Sequence, residues 1–199
     1  MSDQQIDSGK RTWIIASSCA GVVGAGFVAV PFISSFEPSE RARAAGAAVE
    51  VDIADLKPGE KKTVEWRGKP VWIIKRTPEQ LAELPKVDSL LADPKSARKP
   101  DELTPPYARN EGRSIKPDIL VAVGICSHLG CSPSDKFTPG AQASLPDNWA
   151  GGFLCPCHGS TFDMAGRVYK NKPAPDNLEV PPHMYLSDTR ILIGEDKKA

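Results

Sequence analysis

Cys126-Ser127-His128-Leu129-Gly130-Cys131 and Cys155-Pro156-Cys157-His158-Gly159-Ser160 are the two stretches around which the rest of this chain arranges itself. Each places a cysteine, a histidine and a glycine within six residues and adds a further cysteine. Cys126 and His128 are two apart, which puts both side chains on one side of an extended loop. Cys155 and His158 are three apart, a spacing that a turn brings together. An apolar segment precedes each stretch. Ile119 to Ile125 reads as a buried strand running into the first, and Gly151-Gly152-Phe153-Leu154 leads into the second. Both stretches therefore read as tight loops at the end of a sheet, offering two thiolates and two imidazoles to one site.

Two metals fit such a donor set. Zinc takes two cysteines and two histidines tetrahedrally. A 2Fe–2S cluster takes two cysteines on one iron and two histidines on the other. Cys131 and Cys157 are left over, in equivalent places beside the ligands. A disulfide between them would clamp the loops together, and an extracytoplasmic domain permits one. A structural zinc site more often recruits nearby cysteines as ligands, so the spacing favours iron–sulfur over zinc. The fifth cysteine, Cys19, lies alone in an apolar run and reads as a small buried hydrophobe.

Outward from the loops, the chain reads as mainly β. Its 199 residues include 19 prolines and 16 glycines, which point to turns rather than long helices. Val49 to Ile53 alternates apolar and polar. Thr63 to Trp66 and Val71 to Ile74 read as strands joined by Arg67-Gly68-Lys69-Pro70, and Val168-Tyr169 and Arg190 to Ile193 as closing strands. Pro78 to Leu84 reads as a short helix. Pro85 to Pro117 is polar, proline-rich and aperiodic, an ordered surface excursion. Trp66 and Trp72 read as core, His183 as a surface histidine, and Lys197-Lys198 as a solvated tail. With 25 basic and 25 acidic residues and no basic run, nucleic-acid binding has no electrostatic support.

The N-terminus differs from the rest. No charged residue falls between Thr12 and Phe36. Trp13 to Ile33 alone makes a helix about 30 Å long, enough to cross a membrane and longer than a usual signal-peptide core. Lys10 and Arg11 precede it, which keeps the N-terminus cytoplasmic and faces the C-terminal domain outward. Lys10-Arg11-Thr12-Trp13 resembles a weakened twin-arginine export signal. The chain so divides into a cytoplasmic segment with export signal (1–11), a transmembrane anchor (12–36), a flexible tether (37–48) and an outer domain (49–199).

Both loops resemble those of the Rieske proteins of bacterial ubiquinol–cytochrome c oxidoreductases, with Ser127 where threonine is usual. The resemblance runs on through Arg113-Ser114-Ile115-Lys116-Pro117, Val123-Gly124-Ile125, Cys131-Ser132-Pro133, Pro173-Ala174-Pro175 and Asn177-Leu178-Glu179-Val180-Pro181. It covers the anchor and essentially the whole outer domain. It implies a Rieske-type antiparallel β domain with a cluster-binding subdomain, plus one N-terminal transmembrane helix. It implies a 2Fe–2S cluster with Cys126 and Cys155 on the buried iron and His128 and His158 on the exposed one, and a Cys131–Cys157 disulfide. Leu129 matches the residue that shields the cluster, Ser160 a hydroxyl that bonds a bridging sulfide, and Pro173 to Pro175 the loop that covers it. The implied function is that of an electron-transfer subunit at the outer face of the bacterial inner membrane. It takes one electron from ubiquinol, which meets His158, and passes it to a membrane-bound c-type cytochrome. The implied partners are that cytochrome and a cytochrome b subunit, within a dimeric complex. The small subunit of another periplasmic oxidoreductase, such as arsenite oxidase, is the alternative. Phe162 stands where high-potential members have a tyrosine, and Lys172 where glycine is usual before the proline loop.

Overall fold

The computed structural model describes residues 7–196, so the first six residues of the expected cytoplasmic segment and the Lys197-Lys198 tail lie outside the described residues. The chain forms two units, residues 1–44 and 45–199. In the first, helix α1 (Ser8–Ser34) spans 27 residues. The Asp7 carboxylate caps it by accepting from the Gly9 and Lys10 N–H groups. Its apolar window has a mean hydropathy of 1.9, and none of its residues is buried against protein. Cys19, expected to be buried, is exposed with the rest, because no protein element packs on this helix among the described residues. A short helix, α2 (Glu40–Ala45), follows within the tether; Glu37 and Glu40 both pair with Arg43.

The second unit holds three antiparallel, three-stranded sheets. The middle one joins β2 (Lys61–Trp66), β3 (Lys69–Lys75) and β4 (Ile119–Val123). Arg67 and Gly68, both at positive φ (52° and 71°), make the two-residue turn between β2 and β3, tighter than the four-residue connection expected. The other two sheets cover this one on both faces. Val71, Ile73, Val121 and Val123 pack against Val51, Ile191 and Ile193 of a sheet ordered β1 (Val49–Asp52), β9 (Arg190–Ile193), β8 (His183–Tyr185). Trp72, Ile74, Leu120 and Ala122 face the other way, against a sheet ordered β5 (Ser134–Lys136), β6 (Gly152–Leu154), β7 (Thr161–Asp163). Burial on both faces is why β3 and β4 read as unbroken apolar runs. The expected short helix is α3 (Pro78–Glu83), opened by a Thr77–Gln80 capping box. Further on come a 3₁₀ turn at Pro85–Leu90, α4 (Pro100–Leu103) and a second 3₁₀ turn at Pro106–Ala108.

Three expectations need correction. Val168-Tyr169 is not a strand; it makes only isolated bridges, Phe162 with Val168 and Leu91 with Tyr169. Pro85 to Pro117 is not confined to the surface, since Arg113 is fully buried. Its guanidinium donates to Thr104 Oγ1, Leu178 O and Ala165 O, so backbone carbonyls replace the water it loses. Arg76 and Arg167 are buried in the same way, and Arg167 pairs with Asp163 at 2.8 Å. Burial draws the Arg76 and Arg113 pKa values down to about 10, so both remain charged near neutrality. Finally, His183 is buried, not on the surface. Its Nδ1 lies 2.8 Å from Pro181 O, and Tyr107 stands edge-on to its ring at 5.7 Å. Trp66 and Trp72 are core, as expected.

Candidate metal centre

β4 ends three residues before Cys126, and β6 ends immediately before Cys155. The two loops that follow repeat one backbone pattern. Cys126 N–H donates to Cys131 O at 2.8 Å, and Cys155 N–H to Ser160 O at 2.7 Å. Gly130 N–H returns to Cys126 O at 3.1 Å, and Gly159 N–H to Cys155 O at 3.0 Å. Both turns need a left-handed residue, and Gly130 (φ 81°) and Gly159 (φ 72°) supply it. Equal loops thus present a cysteine inward at their first position and a histidine outward.

Cys126 and Cys155 are each 2% exposed and belong to the same apolar core as Trp72, Phe153 and Phe162. Burial pushes the Cys126 thiol pKa up, and the adjoining Cys155 thiol adds to this, against hydrogen bonds from the His128 backbone and the Ser160 side chain. His158 is exposed and His128 half-buried, with ring centroids 4.7 Å apart and planes crossed at 87°. Cys131 and Cys157 are joined by a disulfide across a separation of 26 residues. Their sulfurs and that of Cys155 lie within 4.8 Å of one another, but bonding to each other removes both from ligation.

The surroundings were partly visible in the sequence. Ser160 is fully buried, and its Oγ accepts from Ala174 N–H at 3.0 Å while it also bonds Cys126. Pro173 is exposed beside it, and Leu129 stands 71% exposed at the tip of the first loop. Phe162 is fully buried opposite Phe153 and offers no hydroxyl, and Lys172 is exposed. Two contacts, at positions the resemblance already covered, were not legible in the sequence. Ser127 Oγ donates to Asp176 O at 2.6 Å and so ties the first loop to the proline loop. Gly124 lies under the Trp72 indole, where a Cβ would meet the ring at 2.2 Å. Trp72 in turn stacks on Phe153 at 4.9 Å, fixing the approach to both loops.

Two adjoining thiols in an apolar core stay protonated by themselves and become thiolates where a metal group balances their charge. Two imidazoles at the open end complete a set of two sulfurs inside and two nitrogens outside. That asymmetric division fits a 2Fe–2S group with one sulfur-bound and one nitrogen-bound iron.

Comparison with known proteins agrees. Residues 97–182 match the Rieske [2Fe-2S] domain, and residues 13–39 match the "Ubiquitinol-cytochrome C reductase Fe-S subunit TAT signal". The ubiquinol-cytochrome c reductase iron-sulfur subunit of Allochromatium vinosum is 55% identical over 188 residues, covering 94% of this chain and 89% of that protein. Its counterpart in Bradyrhizobium diazoefficiens is 40% identical over 181 residues, covering 90% of each. Among solved structures, a chain of a "Hyperthermophilic respiratory Complex III" aligns at a TM-score of 0.45 and 25% identity, covering 89% of this chain and 97% of that one. The cofactor is a Rieske-type 2Fe–2S cluster, the apolar helix is a membrane anchor, and the chain belongs to the Rieske iron–sulfur subunits of ubiquinol–cytochrome c reductase.

Proposed function

We propose that the chain carries single electrons from ubiquinol to a membrane-bound c-type cytochrome, using a cluster held by Cys126, His128, Cys155 and His158. The observation that supports this most is the crossed pair of imidazoles, one exposed and one half-buried, carried by the same two loops whose first cysteines are buried. When bound, the cluster supplies one-electron chemistry at a potential raised by its two neutral ligands. The side chains do the rest. The outer ring nitrogen of His158, the more exposed histidine, accepts the hydrogen bond of the quinol hydroxyl and holds its proton. Leu129 and Pro173 shield the tip from water. The Ser160 hydroxyl lies against the Cys126 sulfur and offsets negative charge there.

In this reading residues 1–11 are cytoplasmic, 12–36 span the bacterial inner membrane, and 49–199 form a head in the periplasm. The tether, 37–48, lets the head travel; twelve residues reach about 18 Å as helix and up to about 40 Å extended. A cytochrome b subunit completes the quinol site, and the complex is dimeric. Detergent-solubilised native complex tests the proposal. Its reduced form should show the rhombic, low-average-g EPR signal of a mixed Cys/His cluster, with haem b and haem c co-purifying. Stoichiometric zinc with no such signal would overturn the cluster and with it the electron-carrying role. A structure with a quinone-site inhibitor touching His128 alone would overturn the choice of His158.

A further inference from the structure

The two loops, residues 126–131 and 155–160, contain no charged side chain, so the tip of the head is uncharged. The flank of the proline loop is not. On one side of it, residues 93–99 are fastened down: the Asn177 amide donates to Asp93 O and Ser96 Oγ, Arg98 to Pro175 O, and Lys99 pairs with Asp176 at 2.9 Å. On the other side Lys170 donates to Ser89 O at 2.8 Å, and Lys172 has no ion-pair partner among the described residues. A groove follows residues 169–172 in two lobes of about 360 and 310 Å³, floored by Trp149 and Tyr169 in the first and bordered by Arg98 in the second.

Among the described residues the charges of this rim do not cancel. Asp93 is buried, its carboxylate accepting from the Ala97 and Arg98 N–H groups and its charge offset by the buried Arg113 guanidinium, and Asp176 is spent on Lys99. Among the described residues that leaves Lys95, Arg98, Lys170 and Lys172 exposed, against the exposed carboxylates of Glu102 and Asp147, while the half-exposed Asp88 is paired with the buried Arg167. Backbone carbonyls satisfy the hydrogen bonds of Arg98 and Lys170 without neutralising either. Of the exposed cations, Lys172 lies one residue and Lys170 three residues from Pro173, at the edge of the tip through which, on the proposed function, an electron leaves.

We propose that this rim docks an acidic face of the protein that accepts the electron, steering the uncharged tip onto it. The proposal rests on the electron-carrying function above. It selects a partner with carboxylates ringing its redox centre, because cations flank the exit and opposite charges raise the rate of productive encounter. The test uses the purified complex with the double variant Lys170→Glu/Lys172→Glu, and Lys57→Glu as a control away from the rim. After rapid reduction by quinol, electron arrival at the c-type cytochrome should slow about tenfold at low salt in the double variant, with the gap closing as salt screens it. The control should match the native complex. Carbodiimide, which joins amines to adjacent carboxylates, should link Lys170 or Lys172 to the cytochrome whether or not the cluster is loaded. Unchanged rates and salt dependence, or cross-links from other lysines but none from these two, overturn the rim. A defect seen only in bilayers of anionic lipid and absent in detergent also overturns it, assigning the rim to headgroups. Failure of the native complex to be reduced by quinol overturns instead the function on which the rim depends.

Discussion

Replacing Cys131 and Cys157 together by serine removes the covalent link between the two ligand loops. The separation of 26 residues sets the scale. Closing a loop of that length in the unfolded chain costs about 3.5 kcal/mol at 25 °C, which the oxidised protein does not lose again on folding. For a head of about 150 residues this lowers Tm by about 10 °C. The effect should be larger locally than globally. Apart from the disulfide, the first loop is tied down by Ser127 on Asp176 and the second by Ser160, which accepts from Ala174 N–H and bonds Cys126 across the loops. Heating the full chain in detergent, with visible absorbance reporting the cluster and far-ultraviolet circular dichroism the fold, separates the two. In the double serine variant the colour should bleach well before the β signal melts, whereas in the native chain the two should fall closer together. A Tm within about 2 °C of native, with colour and fold lost together as before, would refute the clamp.

Three further outcomes follow from named contacts. Burial holds the His183 pKa below its ordinary value of 6.5, so the unfolded chain binds the proton more readily. The associated stability is fully present above about 6.5 and is lost as pH falls through the folded value. His183→Asn, which keeps a donor for Pro181 O, should flatten that acid-side decline in chemical denaturation, and an unchanged slope between pH 5 and 7 counts against it. Gly124→Ala drives a methyl into Trp72 and should cost roughly 1–3 kcal/mol while shifting the cluster's EPR line shape, since Cys126 is two residues on; native stability and spectrum would mean that Trp72 yields freely. Phe162→Tyr places a hydroxyl in the core shared with Cys126 and Cys155 and should raise the reduction potential, as a donor to a ligand sulfur favours the electron-rich form. Voltammetry showing an equal or lower potential would disprove that geometry.

The parts of the fold legible in the sequence were those written in side-chain pattern. Val71 to Ile74 announced a strand, Ile119 to Ile125 a buried one, Pro78 to Leu84 a short helix, and the paired loops a metal site. What escaped was written in backbone. Ser134-Asp135-Lys136 has no apolar alternation, because β5 is an exposed edge strand defined by its ladder to β6. Arg113 and His183 were read as surface because their types usually are, yet backbone carbonyls at Leu178, Ala165 and Pro181 receive them inside. Ser127 differs from its usual counterpart by one methyl, and nothing local shows that its hydroxyl fastens the proline loop.

The duplicated loops have a consequence for traffic. Both send their first cysteine inward and their imidazoles to the same end, so among the described residues the head has a single doorway. Whatever enters there must leave there, and two visitors cannot stand in it at once. On the proposed function, a carrier built this way works as a turnstile: it does not short-circuit donor to acceptor through its own body, and each electron requires a departure before an arrival.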